Sequence, residues 1–360
     1  MKKTAKDILR VGIVGCGGMG RGIHVKEFYL REPRVELAAA CDILPERAQA
    51  VADAGFPGIA QYADWREMIK DPAIDAIDIC TPNDLHSEIA VAALGAGKHV
   101  FCEKPDAIDA EKAAAMRDAA AKAGKLLMVM RNNRFTDAAR YLKRFVAEGR
   151  AGELYAGRCG WQRRRGIPGK GGWFTTKARS GGGPLIDLGV HMIDLAVWLM
   201  GSPHPVAVSG QTFRKFADAD DVSDSVHSAF GDKVAGGTFD VEDLAMGFVR
   251  FDNGAVLQIE FSWASNVARE RRFVELMGTK AGFSVEDSQM RIFTEENGEL
   301  LDIAPPGLQR DDGHVRNLRN FVDAVLEGAE PCYKPQEGVD MIAILEGFYK
   351  SARLGREVRL

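Results

Sequence analysis

The chain has 360 residues, of which 46% are hydrophobic and 27% are charged, and its formal net charge is −4. A chain of this length can form two domains, each with its own core, and the composition is ordinary for a globular protein. The acidic balance argues against a nucleic-acid partner. Residues 1–10 contain lysines but no apolar segment follows them, and no stretch of about 18 apolar residues occurs, so neither an export signal nor a membrane partner is predicted.

Six cysteines are scattered along the chain without a C-x-x-C pair, at positions 16, 41, 80, 102, 159 and 332. This pattern predicts neither a zinc site nor a disulfide framework, and it favours the reducing cytoplasm. The acidic stretch Asp218–Asp224 is interpreted as a solvated turn rather than a metal site. The sequence therefore predicts a cytoplasmic protein with no metal.

A glycine-rich turn follows the first predicted strand, Arg10–Val14. In the sequence VGIVGCGGMG, three glycines have the G-x-G-x-x-G spacing of dinucleotide-binding turns, where glycine permits a tight turn and lets a pyrophosphate approach the backbone. A helix over Met19–Leu30 would direct its free N–H groups toward the phosphates. Because glycine clusters also form ordinary loops, a plain strand–helix–strand unit is the alternative. The predicted cofactor-binding residues of the turn are Gly15, Cys16, Gly17, Gly18, Met19 and Gly20.

The second predicted strand, Val35–Ala40, ends close to Asp42, which follows Gly20 by 22 residues. At about this distance an acidic residue of a dinucleotide-binding unit accepts hydrogen bonds from the adenosine ribose. Its negative charge would repel a 2′-phosphate, so NAD is predicted over NADP. Two alternatives remain open: Arg47 on the next helix could approach such a phosphate, or Asp42 merely ends a strand before the helix that begins at Pro45.

Strands and helices alternate through the first 130 residues, which predicts a doubly wound parallel α/β sheet. The elements expected after Asp42 are helices from Pro45 and Asp64, strand Ile74–Ile79, helix Asp84–Ala96, strand His99–Cys102, helix Asp109–Ala123 and strand Leu126–Met130. Ligands of such sheets lie beyond the carboxyl ends of the strands. The residues predicted to face the cofactor there are Thr81, Pro82, Asn83, His86, Glu103 and Lys104.

Beyond Arg131 the pattern changes to strands separated by glycine-bearing turns. Asn253 and Gly254 separate two alternating runs, which is a strong signal for a β-hairpin. Residues 1–130 are therefore predicted to form one domain and residues 131–360 a second, mostly antiparallel α+β domain, with its last helices either inside it or packed back on the first. The expected elements are helix Asp137–Glu148, strands Leu154–Trp161, Val206–Thr212, Ala245–Phe251, Ala255–Trp263 and Arg272–Met277, and helices His314–Glu327 and Gly338–Leu354.

Three residues are candidates for catalysis. Lys104 stands at a strand end, where its ammonium group could bond a substrate hydroxyl and stabilise the alkoxide that forms as hydride leaves, although a surface lysine in a loop would look the same. Asp187 and His191 are four residues apart, so on a helix their side chains share one face. An imidazole suits the base that takes the hydroxyl proton, and a carboxylate beside it would orient the ring. A helix-start aspartate and a core histidine are the alternative.

The sequence resembles the glucose-fructose oxidoreductase, inositol dehydrogenase and rhizopine-catabolism (Gfo/Idh/MocA) oxidoreductases over nearly its whole length. The resemblance rests on VGIVGCGGMG, on TPNDLHSEIAVAALGAGKHVFCEKP at Thr81–Pro105 and on GGGPLIDLGVHMIDLAVWLMG at Gly181–Gly201. It implies a Rossmann domain followed by an open-sheet domain that forms homodimers or homotetramers, and NAD(P)-dependent oxidation or reduction at a sugar or cyclitol carbon. By motif match, the catalytic lysine of the family falls on Lys104 and its Asp–His pair on Asp187 and His191. The peptide bond before the proline of the EKP sequence is expected to be cis.

The segment Trp161–Ser180, WQRRRGIPGKGGWFTTKARS, departs from a generic family member because it has six basic residues and no acid. Aromatic rings there could stack on sugar faces while arginines bond hydroxyls or a carboxylate. A solvated or intersubunit loop is the alternative, and nucleic-acid binding is the remote third choice. The predicted substrate-binding residues are Trp161, Arg163, Arg165 and Trp173, together with Lys104, Asp187 and His191.

The predicted function is NAD-dependent oxidation of a secondary ring hydroxyl of a sugar, glycoside or cyclitol. Carbon 3 of a neutral glucoside is the favoured position, and a sugar acid is the rival substrate. A second hypothesis keeps the cofactor but recycles it internally, as in glycosidase-like or sugar–sugar oxidoreduction. A third is a non-enzymatic NAD-dependent regulator, against which the intact Lys104, Asp187 and His191 count.

Overall fold

The computed structural model describes residues 8–218, 230–287, 289–308 and 312–360. All of the acidic stretch Asp218–Asp224 except its first residue lies outside the described residues. The chain forms two compact units. The first comprises Met1–Asn132 with His314–Val339, and the second comprises Asn133–Gly313 with Asp340–Leu360. The predicted second domain thus contributes residues 314–339 to the first unit.

The first unit contains, among its described residues, a six-stranded sheet of order β3-β2-β1-β4-β5-β6 in which every pair is parallel. The prediction of a doubly wound parallel sheet is confirmed. The central strands β1, β4 and β5 are short, mostly apolar segments whose residues are nearly all buried, as expected for a parallel sheet covered by helices. The strands are β1 Leu9–Val14, β2 Val35–Cys41, β3 Ala60–Tyr62, β4 Ala76–Ile79, β5 His99–Cys102 and β6 Leu127–Val129.

The helices of this unit lie between successive strands, with local signals at their ends. In the helix Ala110–Ala123, for example, the Asp109 side chain accepts a hydrogen bond of 2.8 Å from the backbone N–H of Lys112, and Gly124 ends the helix with a φ of +59°. The helices and helical turns up to residue 135 are Gly20–Tyr29, Pro45–Asp53, Trp65–Met68, Asn83–Leu85, His86–Gly95, Ala110–Ala123 and Asn132–Phe135.

The second unit contains, within the described ranges, a nine-stranded sheet of order β14-β13-β12-β11-β7-β10-β9-β8-β15. Its pairs are antiparallel except for β7 and β10, so the prediction of a mostly antiparallel sheet is confirmed. The predicted hairpin at Asn253 and Gly254 joins β9 to β10. The strands are β7 Leu154–Gln162, β8 Pro205–Phe213, β9 Leu244–Phe251, β10 Val256–Ser262, β11 Arg271–Gly278, β12 Ala281–Glu286, β13 Gln289–Glu296, β14 Glu299–Ile303 and β15 Val358–Arg359.

One helix of the second unit packs directly on this sheet. The helix Val190–Leu199 contacts β7 and β11, and the helical turn Leu185–Gly189 that leads into it contacts β10. Residues of both segments are therefore held against the sheet. The remaining helical segments are Asp137–Ala147, Trp173–Thr175 and Lys177–Ser180, followed near the end of the chain by Gly313–Glu327 and Pro335–Leu354.

The helical stretch Lys177–Leu199 has no uninterrupted run of about 18 apolar residues, because Asp187 and Asp194 lie within it. By length and composition this stretch is long and apolar enough to cross a membrane. It is also mostly buried inside the structure, as the core helix of a globular domain is.

Candidate active site

The glycine-rich turn of the first unit leaves no room for a side chain at two of its positions. Gly15 has a φ of +91°, in the left-handed region that favours glycine, and a Cβ atom there would lie 2.5 Å from the carbonyl oxygen of Cys80. A Cβ atom on Gly20, where the first helix begins, would overlap the carbonyl oxygen of Gly15. The Cβ position of Gly17 is open, with a nitrogen of Arg47 as its nearest neighbour at 3.9 Å. The turn therefore exposes its backbone where the sequence predicts a pyrophosphate.

Asp42 lies directly after β2 and is tied to the glycine-rich turn. Its Oδ2 accepts a hydrogen bond of 2.9 Å from the backbone N–H of Cys16, and its Oδ1 accepts one of 2.9 Å from the backbone N–H of Leu44. Because a carboxylate has about four lone-pair sites, each oxygen can accept a further hydrogen bond. The structure thus places an acceptor beside the turn, where the sequence predicts a ribose. Of the other turn residues, Cys16 is buried, Gly18 is exposed and Met19 is half-buried.

The segment Thr81–Asn83 follows β4 at the carboxyl edge of the parallel sheet. The Thr81 hydroxyl oxygen is buried and has no hydrogen-bond partner among the residues that the structure describes. Buried polar groups without a partner are rare, so this hydroxyl suits a ligand group at the edge where dinucleotides lie in such folds. Pro82 is half-buried and Asn83 is buried beside it. The residues of this edge therefore fit a dinucleotide.

His86 is buried and contacts the protein backbone through both ring nitrogens. Its Nδ1 lies 2.7 Å from the carbonyl oxygen of Pro105, and its Nε2 lies 3.0 Å from the carbonyl oxygen of Thr81. Burial lowers the pKa of the imidazole, although the two carbonyl contacts act in the opposite direction. His86 thus holds together the segments that follow β4 and β5, and its direct contact with the cofactor stays a prediction.

Glu103 anchors the backbone of the candidate catalytic lysine. The Lys104–Pro105 peptide bond is cis, as the resemblance implies, and Oε2 of Glu103 accepts a hydrogen bond of 3.1 Å from the backbone N–H of Lys104. Its Oε1 lies 2.9 Å from Nε2 of His24. Burial alone would raise the pKa of Glu103, but the hydrogen bond and charge of His24 lower it to about 2. Glu103 is therefore a carboxylate at neutral pH.

His24 lies fully buried between two carboxylates. Its Nδ1 lies 2.7 Å from Oδ2 of Asp78, which also accepts a hydrogen bond of 2.7 Å from the Tyr29 hydroxyl. Burial opposes the charged imidazole, yet the charge of Asp78 raises the pKa of His24 well above its usual value. His24, Asp78 and Cys80 each place one ligand atom within 4.8 Å of the others, a spacing that suits a metal ion. Because both His24 nitrogens already face carboxylates, the geometry favours an imidazolium instead.

Asp187 and His191 lie one helical turn apart in the second unit. Asp187 belongs to the helical turn Leu185–Gly189, and His191 lies in the helix Val190–Leu199. The indole Nε1 of the fully buried Trp263 donates a hydrogen bond of 3.0 Å to Oδ2 of Asp187. Trp263 therefore fixes one carboxylate oxygen of the predicted pair.

His191 faces the aromatic ring of Trp161. The two ring centroids lie 6.0 Å apart, and the His191 carbonyl oxygen accepts a hydrogen bond of 3.3 Å from the side chain of Asn133. The guanidinium carbon of Arg163 lies 5.1 Å from the centroid of the same indole. The negative charge of Asp187 also acts on Arg163. The structure thus brings together four residues that the sequence predicts for substrate binding or catalysis.

The glycine run before this helical turn is held by a buried glutamate. The Glu242 carboxylate accepts hydrogen bonds of 3.0 Å from the backbone N–H of Gly183, 3.2 Å from that of Leu185 and 2.9 Å from the Tyr349 hydroxyl. Burial raises the pKa of Glu242, and these three donors partly oppose the shift. A Cβ atom on Gly182 would overlap the Tyr349 hydroxyl, and one on Gly183 would overlap the Glu242 carbonyl oxygen. Close backbone approach therefore explains the glycines.

Arg165 and Trp173 of the basic segment contact other groups. The Arg165 guanidinium donates hydrogen bonds of 3.1 Å to the carbonyl oxygen of Ser265 and 2.9 Å to the side chain of Asn266. Trp173 stacks on Phe174 with ring centroids 3.8 Å apart. Their roles as substrate contacts stay predictions.

Three residues that support the candidate site, Trp263, Glu242 and His24, are not predicted from the sequence. Trp263 and Glu242 act on residues 76 and 59 positions away, and local periodicity carries no signal for such pairs. His24 follows the last glycine of the turn by four residues. The aspartate at position 78, within the mostly apolar predicted strand Ile74–Ile79, could have indicated that a buried positively charged partner such as His24 exists.

Comparison with known proteins agrees with this architecture. Residues 9–131 match the family model described as "Oxidoreductase family, NAD-binding Rossmann fold", and residues 139–284 match the GFO/IDH/MocA C-terminal domain. The chain is 33% identical over 353 residues to the D-glucoside 3-dehydrogenase of Escherichia coli K12, covering 98% of this chain and 97% of that protein. It is 31% identical over 322 residues to the levoglucosan dehydrogenase of Pseudarthrobacter phenanthrenivorans, covering 86% and 80%.

A solved structure of a levoglucosan dehydrogenase in complex with NADH and levoglucosan superposes with a TM-score of 0.82, at 26% identity and with 98% of this chain and 99% of that chain covered. The fold and the site residues define a two-domain, dinucleotide-dependent oxidoreductase. The chain belongs to the GFO/IDH/MocA oxidoreductase family.

Proposed function

We propose that this enzyme oxidises the carbon-3 hydroxyl of a neutral glucoside with NAD as the oxidant. The D-glucoside 3-dehydrogenase and the levoglucosan dehydrogenase reported above support a sugar substrate oxidised at a ring carbon. The single observation that carries the proposal within this chain is the arrangement of Asp187, His191 and Trp161, which sets a candidate base beside an aromatic ring. Such a ring can stack on the apolar face of a pyranose.

His191 takes the proton of the substrate hydroxyl in this proposal, and Asp187 orients its ring and stabilises the imidazolium. Trp263 holds the carboxylate of Asp187 in place through its 3.0 Å hydrogen bond. Lys104 in the first unit would bond a substrate hydroxyl and stabilise the negative charge that develops on its oxygen. Its backbone is held by Glu103, whose second oxygen is held by His24.

NAD supplies the hydride acceptor when it is bound. The residues that would hold it are the glycine-rich turn, the Thr81 hydroxyl and Asp42, which would accept hydrogen bonds from the ribose. The position of Asp42 beside the turn supports NAD over NADP, because a 2′-phosphate would meet like charge. Arg47, near Gly17, is the residue that would favour NADP, and cofactor titration decides between the two.

A neutral substrate is supported by the charges around the basic segment. The negative charges of Asp187 and Glu270 act on Arg163, so its guanidinium is not an isolated positive charge. Arg165 donates to Ser265 and Asn266 and lies 4.7 Å from the centroid of Phe216. These arrangements suit hydroxyl groups better than the carboxylate of a sugar acid.

The test is a substrate screen with purified enzyme. Methyl glucosides, other glycosides, free sugars, sugar acids, inositols and short-chain alcohols would be compared by NADH absorbance, and the product identified by NMR. We expect a 3-keto glucoside, with KM nearly independent of added salt because the ligand is neutral. A preference for short-chain alcohols, sugar phosphates or sugar acids would overturn the proposal. NADH that fails to accumulate, with NAD retained through gel filtration, would indicate internal recycling.

We propose a homodimer or homotetramer in the cytoplasm. Exposed apolar side chains on neighbouring strands of the large sheet, Met246 and Phe248 among them, support a subunit interface, and the six free thiols support a reducing compartment. Light scattering coupled to gel filtration would give the mass of the assembly. A monomeric wild type, or an assembly unaffected by Phe248→Glu, would count against this interface.

A further inference from the structure

We infer that Arg163 selects the substrate by donating a hydrogen bond from Nε to the hydroxyl group next to the carbon that is oxidised. The inference rests on the proposed function, because it names a specificity-determining contact of the same site. It assigns to Arg163 the recognition of a vicinal diol, and so predicts which deoxygenated glucosides the enzyme discriminates against.

The guanidinium of Arg163 has one donor, Nε, that no acceptor in the described part of the chain satisfies. Its Nε is buried and has no hydrogen-bond partner within residues 8–218, 230–287, 289–308 and 312–360, and its terminal nitrogen reaches the carbonyl oxygen of Gly166 at 3.3 Å. A buried N–H without an acceptor costs free energy, and an oxygen of a bound ligand removes that cost. The orphaned donor therefore points to a ligand.

Arg163 is held at both ends, because its backbone is hydrogen-bonded and its guanidinium contacts the Gly166 carbonyl oxygen and the Trp161 ring. Its N–H donates a hydrogen bond of 3.0 Å to the carbonyl oxygen of Ser262. Its carbonyl oxygen accepts hydrogen bonds of 3.2 Å from the Ser262 hydroxyl and 3.0 Å from the Ser265 hydroxyl. A donor that is pre-oriented in this way gives more discrimination than a mobile surface arginine.

Trp161 lies close to both Arg163 and the candidate base His191. Its indole ring lies 5.1 Å from the guanidinium carbon of Arg163 and 6.0 Å from the ring of His191, measured to the centroid. The guanidinium of Arg272 also lies over this indole, at 5.3 Å, so we place the sugar beside the ring, with one hydroxyl at the base and a neighbouring one at Arg163. Asp187, one helical turn before His191, adds its negative charge near the guanidinium.

The charges around Arg163 indicate which ligand group its Nε would bind. Asp187 and Glu270 offset the positive charge of Arg163, and the backbone N–H of Arg164 donates a hydrogen bond of 2.8 Å to the Glu270 carboxylate. A substrate carboxylate would meet two acidic groups here. A neutral hydroxyl oxygen accepts the hydrogen bond without that repulsion.

The experiment pairs a change in the enzyme with a change in the substrate. Methyl β-D-glucoside and its 2-deoxy and 4-deoxy analogues would be compared in wild type, in Arg163→Met and in the control Arg158→Met. Arg158 lies on the same strand, β7, and forms an exposed ion pair with Glu275. In wild type we expect kcat/KM to fall about 10- to 100-fold for one of the two analogues, the range of a hydrogen bond to a charged donor.

In Arg163→Met, kcat/KM for the parent glucoside should fall by a similar factor. For the sensitive deoxy analogue, kcat/KM should be the same in Arg163→Met as in wild type, because the hydroxyl that Arg163 would bind is already missing. Arg158→Met should behave as wild type. A deoxy penalty that persists unchanged in Arg163→Met would overturn the inference. If thermal unfolding shows that Arg163→Met is not folded, the same comparison is made with Arg163→Lys, which keeps the positive charge but lacks Nε.

The failure of the inference is distinguishable from that of the proposed function. A wild type that oxidises no glucoside overturns the proposed function and the inference with it. A wild type that forms the 3-keto product but shows equal kcat/KM for all three substrates overturns the inference alone.

Discussion

Trp263 and Asp187 are joined by a hydrogen bond of 3.0 Å from the indole Nε1 to the carboxylate Oδ2. Trp263 is fully buried just beyond β10, and Asp187 lies in the helical turn that packs on that strand. The sheet therefore sets the position of the acidic member of the predicted pair. Because indole can only donate, the bond is formed with Asp187 as the acceptor.

Trp263→Phe should lower kcat by about tenfold while leaving KM and NAD affinity within a few-fold, because it removes one donor to the proposed catalytic carboxylate of Asp187 and keeps most of the buried ring. Steady-state kinetics and NAD titration by fluorescence quenching would be compared with Trp65→Phe, a change in the first unit. If kcat stays normal while the unfolding temperature drops, the indole serves packing only.

Asp42→Asn should weaken NAD binding much more than NADP binding. The change leaves one acceptor oxygen where Asp42 uses two, one for the backbone N–H of Cys16 and one for that of Leu44, and it removes the charge that repels a 2′-phosphate. Titration with NAD and with NADP gives the ratio of the two dissociation constants. Arg47→Ala serves as the matched control, and its affinity for NAD should be unchanged. Equal losses for the two cofactors, or a wild type that prefers NADP, would contradict the assignment.

Lys104→Ala and His191→Ala should each reduce turnover by about 10²-fold or more, with NAD affinity within a few-fold of wild type. The first loses stabilisation of the developing alkoxide, and the second loses the base. Lys112→Ala is a suitable control, since Lys112 forms an exposed ion pair with Asp109. Normal turnover in His191→Ala would exclude the proposed base, whatever the result for Lys104.

His24→Gln should destabilise the first unit, by about 3 kcal/mol at neutral pH, because it leaves Asp78 and Glu103 buried without their cation. The pKa of His24 is raised on folding, so its contribution is fully present below the unfolded pKa of about 6.5 and is lost as pH rises through the folded pKa. The free-energy difference between wild type and variant should therefore shrink as pH rises above about 6.5, by up to about 1.4 kcal/mol per pH unit. Urea unfolding at several pH values measures it.

Tyr29→Phe is the matched control for this series. It removes one hydrogen bond to Asp78, and burial, with the charge of Asp78, raises the pKa of Tyr29 well above its usual value, so the hydroxyl does not titrate in this range. Its effect on stability should be constant with pH. A His24→Gln effect that is equally constant would show that His24 is neutral in the folded protein.

The doubly wound sheet and the mixed second sheet were predictable because their signals are local. Alternating strand and helix patterns, the glycine spacing at Gly15 and the four-residue spacing of Asp187 and His191 all lie within short windows of sequence. Strands β12 to β14 were missed, although Ala281–Glu286 alternates buried and half-buried residues, because short polar hairpins resemble loops.

The supports of the site could not be predicted in this way. Glu242 reaches Gly183 across 59 residues, and Trp263 reaches Asp187 across 76, so only the register of the sheet brings them together. Likewise, the basic composition of Trp161–Ser180 did not reveal which arginines are paired. Among the residues that the structure describes, Nε of Arg163 has no acceptor, whereas Arg165 donates to Ser265 and Asn266.

The Glu242 carboxylate supports the glycine run before Asp187 through the backbone N–H groups of Gly183 and Leu185. The segment just beyond β10 has a double role, because Trp263 holds Asp187 while Ser262 and Ser265 on either side of it anchor the backbone of Arg163. The proposed proton-transfer pair and the proposed specificity residue therefore share one support, and changes at the two places should combine non-additively. A change of sugar specificity at Arg163 would then need compensation at residues 262–265 to preserve turnover.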